Sequence, residues 1–282
     1  MSLTDRTEIE RLLLKFGFSF KKSLGQNFLI NPSVAPKMAE YALSGAKNAG
    51  VIEIGPGIGV LTAELSKRAE KVLSLEIDGR LLPILGDTVG HLENVEIINT
   101  DALKCDLNEL AREKLSGLDL YVVANLPYNI TSPMLMKLLK TLDFQNITVM
   151  VQKEAADRLC AKQGTRESSA ITLAVNCYAK PKLLFNVKRG SFLPQPKVDS
   201  AVITLAPLDE KKNDRLMLEL IHFAFLKRRK NILNAFESFK GFDKKAVSAI
   251  LDELKLDKNL RPENLTLSDY AAVSEKISKE RF

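Results

Sequence analysis

Four stretches of this sequence place glycines or polar residues directly after short apolar runs, and each could meet a ligand. The first is Val51-Ile-Glu-Ile-Gly-Pro-Gly-Ile-Gly-Val60, with glycines at Gly55, Gly57 and Gly59. Glycine lets backbone approach a ligand closely, because no Cβ stands in the way. The spacing is G-x-G-x-G, not the G-x-G-x-x-G of a dinucleotide fingerprint. Pro56 also removes one N–H from the turn, which weakens it as a pyrophosphate cradle. A ligand without phosphates fits better, and S-adenosylmethionine (SAM) is the obvious candidate. The second stretch ends in Glu76-Ile-Asp78, with Glu76 21 positions beyond Gly55. A carboxylate there can accept both hydroxyls of an adenosine ribose side by side. In the third, Asp101 follows the run at 95–99 and could accept from an adenine amino group, although acids at such places also cap turns.

The fourth stretch, Asn125-Leu-Pro-Tyr-Asn-Ile-Thr-Ser132, is the sharpest. An Asn-x-Pro-Tyr turn presents a side-chain carbonyl, a backbone carbonyl and an aromatic face. Those groups suit alkylation of an exocyclic amino group on a base. The N6 lone pair of adenine is delocalised into the ring and is a poor nucleophile. Acceptors at the N6 hydrogens favour a more tetrahedral nitrogen, while Tyr128 can hold the base by stacking. Pro127 fixes the turn. With the sulfonium methyl of SAM as electrophile, this chemistry asks for no catalytic histidine or metal. His91 and His222 have no ligand-like neighbours, and Cys105, Cys160 and Cys177 form no C-x-x-C pair, so no metal site is expected.

These residues need a scaffold that brings strand ends together. Apolar runs at 51–54, 71–77, 95–99, 120–124 and 147–152 read as strands. Between them, 60–69, 80–89, 107–115 and 134–142 read as helices. Alternation of this kind predicts a parallel α/β sheet whose right-handed crossovers gather ligands at the carboxyl ends of the strands. Ahead of it lie a helix at 4–16 and the segment Phe18-Ser-Phe-Lys-Lys-Ser-Leu-Gly-Gln-Asn-Phe-Leu-Ile30. That segment suits an ordered surface loop or a flap closing over a ligand, with Lys21 and Lys22 available for phosphate. Beyond the fifth strand, 174–187 and 198–206 read as two long strands joined by 188–197. Phe192, between them and close to Pro194 and Pro196, is either a core residue or an aromatic that stacks on a flipped base. From residue 209 onward only helices are expected, at 213–226, 230–239, 243–254 and 268–279. The cluster Lys227-Arg-Arg-Lys230 falls between the first two, where it suits phosphate binding or a solvated face.

Composition sets the outer bounds. The chain has 282 residues, 45% of them hydrophobic, enough for one large domain and a smaller one. No apolar run approaches the ~20 residues that cross a bilayer, and residues 1–10 show no apolar signal-peptide core. The cytoplasm is the expected compartment. A net charge of +6 permits a polyanionic partner without specifying one.

Taken together, the motifs resemble the ribosomal RNA adenine dimethylase family from about residue 20 to the end of the chain. They are Gly25-Gln-Asn-Phe-Leu29, Glu53-Ile-Gly-Pro-Gly57, Glu76-Ile-Asp78, Asp101-Ala-Leu, Asn125-Leu-Pro-Tyr-Asn-Ile130 and Phe192-Leu-Pro-Gln-Pro-Lys-Val-Asp-Ser200. More narrowly, they resemble its bacterial branch, which dimethylates two adjacent adenines near the 3′ end of small-subunit rRNA. The resemblance implies a seven-stranded, mostly parallel Rossmann-like methyltransferase sheet with an antiparallel final hairpin. It implies a catalytic domain over 1–207, with a flap at 1–30, and a helical RNA-binding domain over 208–282. SAM would be held by Asn27, Leu29, Gly55, Glu76, Asp101 and Asn125. The target adenine would meet Asn125, Leu126, Pro127, Tyr128 and Phe192. RNA would meet Lys21, Lys22, Lys227, Arg228, Arg229 and Lys230. The implied partner is small-subunit rRNA in an immature subunit, bound by a monomer with no membrane involved. The nearest alternative is the related enzyme that methylates large-subunit rRNA and confers macrolide resistance. Gly25-Gln ahead of Asn27 and the Phe192-Leu-Pro-Gln-Pro stretch favour the small-subunit branch. A non-catalytic RNA-binding assembly factor is opposed by the intact Glu76, Asp101 and Asn125–Tyr128. A dehydrogenase is opposed by the glycine spacing.

Overall fold

The alternating apolar runs assemble into one seven-stranded sheet in the computed structural model, which describes residues 2–21, 24–141, 143–210 and 214–280. The strands are β1 (Phe28–Leu29), β2 (Ala49–Ile54), β3 (Lys71–Glu76), β4 (Val95–Asn99), β5 (Asp119–Asn125), β6 (Asn146–Gln152), β7 (Ala179–Val187), β8 (Phe192–Leu193) and β9 (Ser200–Pro207). The large sheet runs β4-β3-β2-β5-β6-β9-β7. Pairs β3–β4, β2–β3, β2–β5 and β5–β6 are parallel, and β6–β9 is antiparallel. The order reverses direction at β2, so the crevice between the ends of β2 and β5 is where such a sheet offers a ligand site. β2 is buried along its whole length, as a central parallel strand covered on both faces must be.

Helices α1 (Arg6–Lys15), α2 (Val34–Ala42), α3 (Val60–Ser66), α4 (Leu82–Thr88), α5 (Leu107–Lys114) and α6 (Thr131–Thr141) connect or flank these strands. Asp5 caps α1 by accepting the Glu8 N–H, and Ile9, Leu12 and Leu13 form its buried face. They join Met38, Val51, Leu65, Ile84, Val123, Met150 and Val202 in one continuous core. A separate two-stranded sheet pairs β1 with β8, Phe28 opposite Leu193 and Leu29 opposite Phe192. It ties the N-terminal segment to the loop after β7.

The chain divides into two compact units, Met1–Ala156 with Lys182–Pro207, and Asp157–Pro181 with Leu208–Phe282. The second unit joins the 157–181 segment to the residues from Leu208 onward. That segment holds the end of α7 (Lys153–Leu159) and α8 (Ala170–Asn176). The remaining helices are α9 (Arg215–Leu226), α10 (Ile232–Phe236), α11 (Lys244–Glu253) and α12 (Leu267–Lys279). α8 packs on α9, and Gln163 Oε1 accepts the Leu267 N–H at 3.0 Å. The strand expected to begin at residue 174 therefore begins at Ala179. Ser169 and Thr172 form a capping box that starts a helix, and the apolar run that follows has no strand partner to compete with it. The second unit's core includes Leu220, Ile221, Phe236, Leu251, Tyr270 and Val273. Tyr270 is fully buried and donates its hydroxyl to the Pro262 carbonyl at 3.0 Å. Among the described residues, no helix is long and apolar enough to cross a membrane.

Candidate active site

A cleft opens at the carboxyl ends of β2, β3 and β5, and the first unit alone lines it. Its floor is the glycine turn. Gly57 and Gly59 have φ of +60° and +90°, left-handed values at which a side chain would be strained. A Cβ on Gly59 would also stand 2.7 Å from Val89 Cγ1, so this turn packs beside the end of α4 only as glycine.

Glu76 ends β3 and lines the cleft. Its Oε1 accepts the Asp78 N–H at 2.8 Å, and its Oε2 faces the Gly57 N–H at 3.4 Å. Burial pushes its carboxyl up to about 6, against those two stabilising hydrogen bonds. Each oxygen keeps room for a further donor, as a ribose diol would require. Beside it Ile77 lines the same cleft although 53% exposed, an apolar surface fit for the face of a purine. Asp101 lines the opposite part. One oxygen closes a turn by accepting the Leu103 N–H at 2.9 Å, and the other lies 3.5 Å from Lys104 Nζ. Asp101 thus serves the turn and the cleft wall at once.

Asn125, Leu126, Pro127 and Tyr128 form the rim beyond β5, and Asn27, Leu29 and Gly55 complete the expected wall. The Asn125 amide donates to the Asn27 carbonyl at 3.4 Å, which orients its Oδ1 as the acceptor end. The Tyr128 hydroxyl pairs with Ser200 Oγ at 2.9 Å, and burial raises its phenol above the usual range. Phe192 is the exception among the expected target-pocket residues. It is 2% exposed, belongs to the core that includes Phe28 and Leu29 of β1, and is not among the cleft's lining residues. Pairing of β8 with β1 turns its side chain inward, so in this conformation it is a core residue.

Several residues that hold the site stand within the motifs, where the sequence alone assigns them no role of their own. Glu53 is fully buried under the glycine turn, and its Oε2 accepts from Thr62 and Ser74 hydroxyls, both at 2.7 Å. Desolvation pushes its carboxyl up to about 7. Asp78 accepts from Arg80 Nη2 at 2.6 Å and Nε at 2.9 Å, and from Gln26 Nε2 at 2.8 Å. The Arg80 guanidinium holds the Asp78 carboxyl down to about 2. Arg80 also donates to the Ser19 carbonyl at 3.1 Å and lies 4.9 Å from the Phe18 ring centre. One acid and its arginine therefore hold Phe18, Ser19 and Gln26 beside the end of β3.

The basic residues divide. Lys21 is exposed and does not line the cleft, while Lys22 lies outside the described residues. Lys227 donates to the Glu237 carbonyl at 2.9 Å and sits 4.7 Å from the Phe223 ring centre. Arg228 donates to the Arg166 carbonyl at 2.7 Å and lies 3.5 Å from the buried Glu263. Arg229 and Lys230 are exposed.

Charge also tests whether SAM suits the cleft. Among the described residues no lysine, arginine or histidine lines it, whereas Glu76 and Asp101 do. That balance fits a cationic sulfonium nucleoside and opposes a polyphosphate.

Comparisons with known proteins agree with this geometry. The family model "Ribosomal RNA adenine dimethylase" matches residues 17–279. A ribosomal RNA small subunit methyltransferase A of Bacillus mycoides is 45% identical over 269 residues, 92% of each chain. The enzyme of the same name from Bacillus anthracis is equally similar. Among solved structures, a dimethyladenosine transferase from Plasmodium falciparum matches with a TM-score of 0.75 and 28% identity, over 90% of this chain and 98% of that one. The 23S rRNA methyltransferase ErmE matches with a TM-score of 0.68 and 26% identity, over 89% of this chain and all of that one. With its glycine turn, paired acids and Asn-Leu-Pro-Tyr rim set as that chemistry needs, the chain belongs to the ribosomal RNA adenine dimethylase family.

Proposed function

We propose that this enzyme dimethylates N6 of two adjacent adenines near the 3′ end of small-subunit rRNA, working as a cytoplasmic monomer on an immature subunit. The observation that supports it best is the Asn125 acceptor at the mouth of an acidic nucleoside cleft that no cation lines among the described residues. The small-subunit relatives at 45% identity favour that target over the large-subunit one, whose structural neighbour stands at 26%.

SAM, when bound, supplies an electrophilic methyl group. Glu76 receives the ribose hydroxyls, Asp101 the adenine amino group, and Asn27, Leu29 and Gly55 shape the wall around them. At the rim, Asn125 Oδ1 would accept a hydrogen bond from the target N6 while the nitrogen lone pair forms the bond to the methyl carbon. The sulfonium sulfur keeps the pair of the broken bond, and the N6 proton is lost to solvent. Acceptance there makes the nitrogen lone pair more available and stabilises the positive charge that develops on N6. The Tyr128 ring stacks on the base, while Pro127 sets the rim's shape. Positioning and fixed dipoles account for the rate, with no proton relay required.

Tritiated SAM and immature small subunits, followed by nucleoside analysis, test the reading. Label in N6,N6-dimethyladenosine of the small subunit is the expected result. Label confined to large-subunit rRNA would move the enzyme to the macrolide-resistance branch, and none on either would leave a binding protein.

A further inference from the structure

We propose that the loop from Lys188 to Val198 is a second RNA-binding surface, gripping the phosphates that flank the target adenine. The inference rests on the rRNA-adenine reading and concerns residues apart from the Lys227–Lys230 cluster. The loop carries Lys188, Arg189 and Lys197 and no acid, and all three side chains are exposed.

Its position is fixed by the residue that follows it. Asp199 accepts the Arg189 N–H at 2.9 Å and the Lys188 ammonium at 3.1 Å. The Asp199 carbonyl accepts the Lys153 N–H at 2.9 Å, which anchors the loop's end to the end of β6. The Arg189 guanidinium reaches back to the Lys197 carbonyl at 3.4 Å, so the loop's two ends hold each other. The next residue, Ser200, pairs with the Tyr128 hydroxyl at 2.9 Å. A continuous set of short contacts therefore runs from the basic loop to the ring that stacks the base.

Charge distribution identifies the ligand. The cleft is acidic and, among the described residues, lined by no cation, while the loop tied to its Tyr128 wall through Ser200 is basic. A nucleotide that inserts its base leaves its phosphates outside, where a basic loop joined to the base-holding ring can meet them. The pair with Asp199 does not consume Lys188. Its side chain remains 84% exposed, a surface pair of this kind is weak, and an ammonium has three donors. An acidic protein would satisfy the loop's charge but would have no base for Tyr128.

The test replaces Lys188, Arg189 and Lys197 by Gln in the full chain and measures binding to immature small subunits as a function of salt. A control removes the same charge at Lys47, Lys67 and Lys140, which sit where the chain enters or returns to the amino-terminal edge of the sheet, away from the cleft. For single-stranded RNA each phosphate left unneutralised lowers the log–log salt slope by about 0.7, so the triple variant should lose about two. The control should keep the parent's slope, and SAM affinity should be unchanged in both. Lys188→Gln and Lys197→Gln alone should each lose about 0.7, which decides the matter if the triple variant proves unstable. A parental slope in these variants, or an equal loss in the control, would overturn the proposal. Because the readout is binding, an enzyme that transferred no methyl would refute the functional reading while the loop was still judged by its slope.

Discussion

Glu76 is held in a buried site that raises its carboxyl to about 6, yet its proposed task needs the ionised form. Protonation therefore competes with ribose binding. SAM affinity should be level above that value and fall by up to tenfold per pH unit below it, as expected for one competing proton. Glu76→Gln should bind more weakly and lose that dependence. Calorimetry between pH 5 and 8 checks both, and a flat parental profile would detach the carboxylate from the ligand. Asn125 differs because its proposed contribution belongs to the reacting state. Asn125→Ala should slow single-turnover transfer by about 10²–10³, or roughly 2.7–4 kcal/mol, with RNA binding nearly intact. Near-parental transfer would sink the acceptor role. Tyr128 is tied to Ser200, so its hydroxyl orients the ring proposed to stack on the base, a contact invisible in the motif itself.

At the scale of elements, Phe18, Ser19 and Gln26 are held by side chains of another element. Asp78 receives both Gln26 and Arg80, and Arg80 in turn reaches Ser19 and Phe18. Asn27 and Leu29, which wall the cleft, follow directly in the chain. Asp78→Asn removes the charge that organises the clamp. Amides at 18–21 and 24–27 should exchange faster while those of β2 and β5 stay protected, and SAM binding should weaken by about tenfold, about 1.4 kcal/mol. Unchanged exchange would show that the aromatic contacts of Phe18, Phe20 and Phe28 hold the segment unaided.

Across the whole molecule, the four-residue basic cluster divides its labour inside the second unit. Arg228 faces the buried Glu263, one of whose oxygens has no hydrogen-bond partner among the described residues. Arg228→Ala should destabilise that unit by about 1–2 kcal/mol, tempered by the exposure of the arginine itself. Arg229 and Lys230 together should leave stability unchanged when replaced by Ala, yet lower the salt slope of RNA binding by about 0.7–0.9 for each phosphate they had neutralised. Chemical denaturation and salt titration of the two variants separate these roles. An Arg228→Ala protein as stable as its parent would return that residue to the RNA-facing set.

The sequence by itself determined the sheet and which residues stand at the ends of its strands. Apolar runs bounded by glycine, acid and Asn-Leu-Pro-Tyr signals are local patterns, and parallel topology gathers their ends without further information. The places of Glu76, Asp101 and Asn125 in the cleft wall were legible for that reason. Only tertiary structure decided that Phe192 lies in the core, because pairing of β8 with β1 sets which way its side chain turns. The run from Ala170 forms α8 through a local capping box that a reading of apolar period passes over, together with packing on α9 that only the tertiary structure supplies. Gln26 meets Asp78 across 52 residues, and Tyr128 meets Ser200 across 72. Such meetings depend on register and packing between distant segments, which local propensity does not encode.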